Sequence, residues 1–156
     1  MTTCETPAEL RSAFDTLLTH TQRLLRVYDH DLSLLELDHS PRYETLRARC
    51  VAGGGRRIEI LLDDISQVAR NHPRLMQLVR DFGHVLEIRH ADPDAPRPDQ
   101  AFVLADHHGV LLRADKAVAH GTLHLDDARD TIALHQSFES MWQRSQASVS
   151  ATTLGL

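Results

Sequence analysis

At 156 residues, the chain is long enough to bury roughly 68–70% of its unfolded surface in one core, without disulfides or metals to staple it. Its apolar and charged fractions, 42% and 25%, are those of a globular protein. The formal net charge of −5 argues against non-specific binding to nucleic acid or to an anionic membrane. No apolar run has the length to span a bilayer, and the opening MTTCETPAELRS has neither the basic nor the apolar region of a secretory signal, so a cytoplasmic location is expected. Cys4 falls in what reads as a loose N-terminal tail, so it is not expected to bridge Cys50, and two such cysteines fit a reducing compartment. The expectation is a single domain over residues 1–156, with a core over about 7–143 and flexible ends at 1–5 and 144–156.

Thr6-Pro7-Ala8-Glu9 is a helix start: threonine caps, proline suits the first helical position, and glutamate closes a capping box. Leu10, Phe14, Leu17 and Leu18 then form one apolar stripe, which predicts a helix from Pro7 to about Thr21. LLRVY at Leu24–Tyr28 reads as a buried strand ending in Asp29-His30-Asp31. Ser40-Pro41 opens a second helix with Tyr43, Leu46 and Cys50 on one face, and Gly53-Gly54-Gly55 stops it. RIEILL at Arg57–Leu62 is a second strand, after which Asp63 or Asp64 is expected to cap a helix from Ile65 to Arg70. His72-Pro73 breaks that helix, and a further one carries Leu75, Val79 and Phe82 as far as Gly83. VLEIR at Val85–Arg89 is a third strand, and Asp92–Pro98 is a loop. Ala101–Ala105 and Val110–Arg113 form a hairpin about an Asp-His-His-Gly turn, Ala117–Leu125 reads as another strand, and Asp126 or Asp127 caps a last helix. Ile132, His135, Phe138, Met141 and Trp142 mark that helix's expected buried face.

Alternating strands and helices followed by a hairpin predict an α/β fold with a mixed β-sheet and helices on both faces. Arg26, Glu59 and Glu87 interrupt three apolar strands, which calls for a half-exposed sheet face, a strand end, or an internal Arg26–Glu pair.

Asp106 after the strand AFVLA, Gly121-Thr122-Leu123-His124 downstream, and Phe138-Glu139-Ser140-Met141-Trp142 at the end of the last helix occur in a telling order. With RIEILLDD and VLEIRHAD ahead of them, they make the stretch from about Leu24 to Arg144 resemble one half of a phospholipase D-like protein. The resemblance is closest to an uncharacterised bacterial domain family also found fused to acetyltransferase domains. It implies that VLEIR and AFVLA are neighbours in a common sheet. It also implies a histidine nucleophile and a phosphate-holding lysine, in the pattern His-x-Lys-x4-Asp. Counted back from Asp106 those places hold Asp99 and Ala101, or Pro98 and Gln100 with a one-residue shift, and the only lysine of the chain is Lys116. A degenerate, non-catalytic half is therefore expected, without cofactor, metal or catalytic residue.

What the resemblance leaves is a module that binds a small anionic or phosphate-containing ligand or a protein. Arg89, His90, Gln100, Asp106, Thr122 and His124 are its candidate ligand-binding residues. Single halves of that superfamily pair about a twofold axis, which makes a homodimer a candidate; neither nucleic acid nor a membrane is an expected partner. The rival is a metal-assisted phosphatase or phosphodiesterase using Asp29 and Asp31, or His124. A zinc set drawn from His107, His108, His120 and His124 has no supporting spacing, and Gly53-Gly54-Gly55 lacks the Lys-Ser/Thr of a phosphate loop.

Overall fold

The Thr6 hydroxyl accepts the Glu9 N–H at 3.1 Å while the Glu9 carboxylate accepts the Thr6 N–H at 3.2 Å, so the capping box forms as read. It launches α1 (Pro7–His20), whose Leu10, Phe14, Leu17 and Leu18 are all buried. The structure, a computed structural model, describes residues 1–145. The rest of the expected C-terminal tail lies outside them, but Arg144 does not fray: it closes the last helix.

In chain order there follow β2 (Leu24–Asp29), α2 (Arg42–Ala52), β3 (Arg57–Leu62), α3 (Val68–Asn71), α4 (Pro73–Asp81) and β4 (Leu86–His90). Then come β5 (Ala101–Ala105), β6 (Gly109–Arg113), β7 (Gly121–His124) and α5 (Ala128–Arg144). One further strand, β1 (Thr2–Cys4), precedes α1. Together the strands make a seven-stranded mixed sheet in the order β1-β7-β6-β5-β2-β3-β4. The β2, β3 and β4 strands run parallel, joined through helical crossovers, and the remaining pairings are antiparallel.

Strand alternation sorts the side chains onto two faces. On one, Leu25, Val27, Ile58, Ile60, Val103 and Leu111 join α1, α2 and α4 in the larger core. On the other, Tyr28, Leu61, Phe102, Leu104 and Val110 meet Phe138, Met141 and Trp142 of α5. The strand charges lie on this second face. Arg26 donates to Glu59 at 2.9 Å and to Glu139 at 2.6 Å, while Arg57 bridges Glu59 and Glu87, and Arg89 reaches Glu87 at 2.7 Å. The internal Arg26–Glu pair is thus one rung of a cross-strand ladder. No helix among the described residues is long and apolar enough to cross a membrane.

Several expectations are corrected. The N-terminal tail is not loose: Cys4 is buried and pairs with Gly121, and a Cβ on that glycine would sit 2.7 Å from the Leu112 carbonyl oxygen. VLEIR and AFVLA share the sheet but are not adjacent, because β2 and β3 lie between them. Asp63 and Asp64 do not cap a helix from Ile65; Asp64 accepts the Ser66 N–H at 2.8 Å in a turn, and the helix begins only at Val68. The strand expected over Ala117–Leu125 shrinks to Gly121–His124, since the Arg113 guanidinium binds the Lys116 and Val118 carbonyls and folds that segment into a loop. On α5, Ile132 is 60% exposed; Thr131 is buried instead, donating its hydroxyl to the His107 carbonyl at 2.6 Å.

Candidate functional sites at the two ends of the sheet

In an open sheet with parallel strands, ligands settle beyond the carboxyl ends of those strands. Here β2 ends on Asp29, Asp63 directly follows β3, β5 begins after Asp99-Gln100, and the β6–β7 loop carries Lys116. Between them lies a cleft of about 690 Å3, lined on its polar side by Asp29, His30, Asp31, Asp99, Asp115 and Lys116.

Four of the charged groups at this end pair with one another: Asp29 with Arg113, and Asp63 with Lys116. Asp29 and Arg113 have side chains 5% and 4% exposed and form an ion pair at 2.8 Å. Burial pushes the Asp29 carboxyl up, against the pull of Arg113 and of the His30 N–H. Asp63 accepts the Tyr28 hydroxyl at 2.8 Å and the Lys116 ammonium at 2.5 Å. Burial and the Asp63 carboxylate drive the Tyr28 phenol far above its ordinary value, so it stays a donor. Lys116 also donates to the Tyr28 oxygen at 3.0 Å and to the Pro98 carbonyl at 2.8 Å. An ammonium has three N–H groups, and all three are engaged.

The opposite end of the sheet, about 16 Å away along β5, is built differently. Asp106 sits in the β5–β6 turn at φ +53° and accepts the N–H groups of Gln22 at 2.8 Å, Arg23 at 2.9 Å and Leu24 at 3.0 Å. Burial pulls its carboxyl up, but these three donors outweigh it and hold the pKa below the ordinary value. His135 donates through Nε2 to the Asp106 carbonyl at 2.6 Å and accepts from Arg26 at its Nδ1, which fixes the neutral tautomer.

The candidate residues read from the sequence do not converge. Arg89 belongs to α5's packing: it donates to the Trp142 carbonyl at 3.1 Å and its guanidinium lies 4.3 Å from the centre of the Trp142 ring. His90 donates to the Asp63 carbonyl at 3.0 Å, and Gln100 precedes β5, so both belong to the cleft end. Thr122 is half-buried within β7. Asp106 and His124 stand at the far end, His124 paired with Val110. His120 precedes β7 and His107 and His108 lie in the far turn, so the histidines separate likewise. Among the described residues no three His, Cys, Asp or Glu side chains are placed to hold a metal ion. Sequence reading missed Asp63, Arg113 and Lys116; the available signal was an aspartate at the end of one buried strand and just past another, and a solitary lysine just past a hairpin.

Residues 6–154 match a family described as a domain of unknown function, DUF7931. The chain belongs to that family. No curated protein matches it. Among solved structures, it is similar to Nuc from Salmonella typhimurium, described as a phospholipase D family member. The TM-score is 0.59 at 14% identity, over 92% of this chain and 90% of that one. NucT from Helicobacter pylori gives 0.58 at 13% identity, over 92% and 96%. TrmBL2, an archaeal chromatin protein described as showing a novel mode of DNA binding, gives 0.68 at 14% identity. There the likeness covers 93% of this chain but only 53% of TrmBL2, so the chain spans about half that protein's length. At these identities the likeness is one of fold, and the fold of this DUF7931 chain is phospholipase D-like.

The expectation that nucleic acid is not a partner is corrected by TrmBL2: a DNA-binding protein contains this fold. The inference from a net charge of −5 fails physically because charge is not spread evenly. Carboxylates gather at the cleft, whereas Arg23, Arg49 and Arg56 gather at the other end of the sheet.

Proposed function

We propose that this domain is a catalytically silent phospholipase D-like half that works by binding an anionic, phosphate-containing ligand. The observation that carries the silence is Lys116. It is the one lysine of the chain, it reaches the strand-end cleft, and its three donors are spent on Asp63, Tyr28 and Pro98. Nothing is left on it to hold a transferring phosphoryl group. The places of the family histidine and lysine hold Asp99 and Ala101, and Ala101 is buried in β5. Asp29, Asp31, Asp99 and Asp115 also line this cleft, a charge balance that disfavours a phosphate there. The metal-assisted rival gains no support from geometry: Asp29 is committed to Arg113, and His124 lies at the other end of the sheet.

The test is turnover of bis(p-nitrophenyl) phosphate and p-nitrophenyl phosphate by the purified chain, with and without a chelator. Rates at the level of the buffer blank are expected. Turnover that copurifies with the protein and disappears in Lys116→Ala or His30→Ala would overturn the reading.

A further inference from the structure

Where α1 and α2 end and β2 and β3 begin, a pocket of about 270 Å3 is lined by Thr21, Gln22, Arg23, Arg49, Gly54 and Arg56. Three guanidinium groups meet in it, and no carboxylate lines it. Arg49 donates from Nη2 to the Leu18 carbonyl at 2.5 Å, but its Nε is buried without a hydrogen-bond partner. A buried, charged donor left without a partner is costly, so its persistence asks for an acceptor. Arg56 donates to the Gly53 carbonyl at 3.1 Å and joins no ion pair among the described residues. The Arg23 side chain makes neither a hydrogen bond nor an ion pair to them.

The chain is shaped to bring these groups together. Gly53, Gly54 and Gly55 all have positive φ, at +57°, +63° and +80°. A Cβ on Gly54 would come within 3.1 Å of Arg56 Nη1, and one on Gly55 within 3.7 Å of Arg23 Nη1. The carboxylate nearest in influence is Asp106, and it is occupied by the three backbone N–H groups of the segment that presents Arg23. Burial, and then the charge of Arg56, lower the Arg49 pKa, with Asp106 opposing them. Three arginines that join no ion pair among the described residues are thus brought together at this end of the fold.

The geometry points to a binding site for one phosphate group, as a monoester or a diester, held by the guanidinium forks of Arg23, Arg49 and Arg56. This inference rests on the anion-binding reading above and gives it a place at the end of the sheet remote from the phospholipase D-like cleft. A second hollow of about 410 Å3 shares Gln22 and Arg23 with the pocket and carries His20, His107 and His108. It offers room for the remainder of the ligand, whether a small phosphorylated molecule or the next nucleotide of a strand.

The experiment is calorimetric titration of the full chain with inorganic phosphate, a nucleoside 5′-monophosphate and a single-stranded oligonucleotide. Saturable binding is expected, weakened about tenfold or more in Arg23→Ser and in Arg56→Ser, and unaltered in Asp99→Asn at the opposite end. Arg49→Gln is the more direct change, but it also removes a bond to α1, so the two outlying arginines keep the test valid if that variant unfolds. No saturable binding of any probe up to about 10 mM, or an affinity untouched by both serine variants, overturns the proposal. Oligonucleotide binding far tighter than the monophosphate, with a steep salt dependence, assigns the phosphate to a nucleic-acid backbone. Equal affinities assign it to a small ester, and either result upholds the phosphate chemistry. Turnover in the phosphodiesterase assay would leave this site standing, whereas loss of phosphate binding would leave the silent cleft standing.

Discussion

The two ends of the sheet treat their charged side chains in opposite ways. At the carboxyl ends of the parallel strands, Asp29 answers Arg113 and Asp63 answers Lys116, at 2.8 and 2.5 Å. At the other end, Arg23, Arg49 and Arg56 face one another across a pocket without a carboxylate in its lining. Charges that neutralise each other inside a fold tie segments together; charges of one sign left side by side cost stability unless something else is bound. The strand-end cleft is tied shut by internal ion pairs, while the end that carries Asp106 and His124 holds three arginines with no carboxylate in the lining of their pocket.

That contrast breaks most visibly at Arg113. Its guanidinium holds Asp29 and the carbonyls of Lys116 and Val118, and its side chain is 4% exposed. Arg113→Met strands the Asp29 carboxylate in a buried site, and a loss of about 3–5 kcal/mol in urea unfolding is expected. Adding Asp29→Asn removes the stranded charge, so the double variant should recover much of that loss. A single variant within 1 kcal/mol or so of wild type would mean that the pair is not the clasp described.

Much of the frame was legible because it rests on local chemistry. The capping box at Thr6, the apolar stripe of α1, the β2, β3 and β5 runs and the glycine stop after α2 are each written in consecutive residues. What escaped was written in pairs remote from one another. Arg113 and Asp29 are 84 residues apart, and Lys116 and Asp63 are 53 apart. Thr2–Cys4 shows no pattern of its own and becomes a strand only because β7 offers an edge. Asp106 reads from the sequence as a candidate ligand-binding residue, yet its carboxylate is taken up by the backbone N–H groups of Gln22, Arg23 and Leu24, 82 to 84 residues away. A hairpin motif fixes which residues are close in sequence, not which end of the sheet each serves.

A smaller effect is expected from pH. Burial lowers the pKa of both His72 and His135 below the ordinary 6.5, reinforced for His135 by Arg26 and His107 against the Asp106 carbonyl and Glu139. Asp38, Asp31 and Glu36 oppose the shift at His72, and His39 adds to it. The folded protein keeps these rings neutral where the unfolded chain would protonate them. Their contribution is complete above about pH 6.5 and declines as the pH falls through their folded-state values. The urea midpoint should therefore drop between pH 7 and pH 5, and the slope should flatten in His72→Gln combined with His135→Gln. An unchanged slope in that double variant would place the acid sensitivity elsewhere.

The smallest expected effect sharpens the contrast most. Arg23 is exposed and Arg56 half-buried, and neither has a carboxylate partner among the described residues. Without ligand, Arg23→Ser and Arg56→Ser should shift stability by no more than about 0.5 kcal/mol. For Arg56→Ser the direction should be towards greater stability, because it relieves repulsion against Arg49. In saturating phosphate the order should reverse, since wild type alone gains fully from binding and its unfolding midpoint rises with ligand concentration. Arg113→Met should show no such reversal, because its loss is internal and no ligand restores it. A crossing of stabilities at one end of the sheet and none at the other is what separates a surface that waits for an anion from one that has already found its partners.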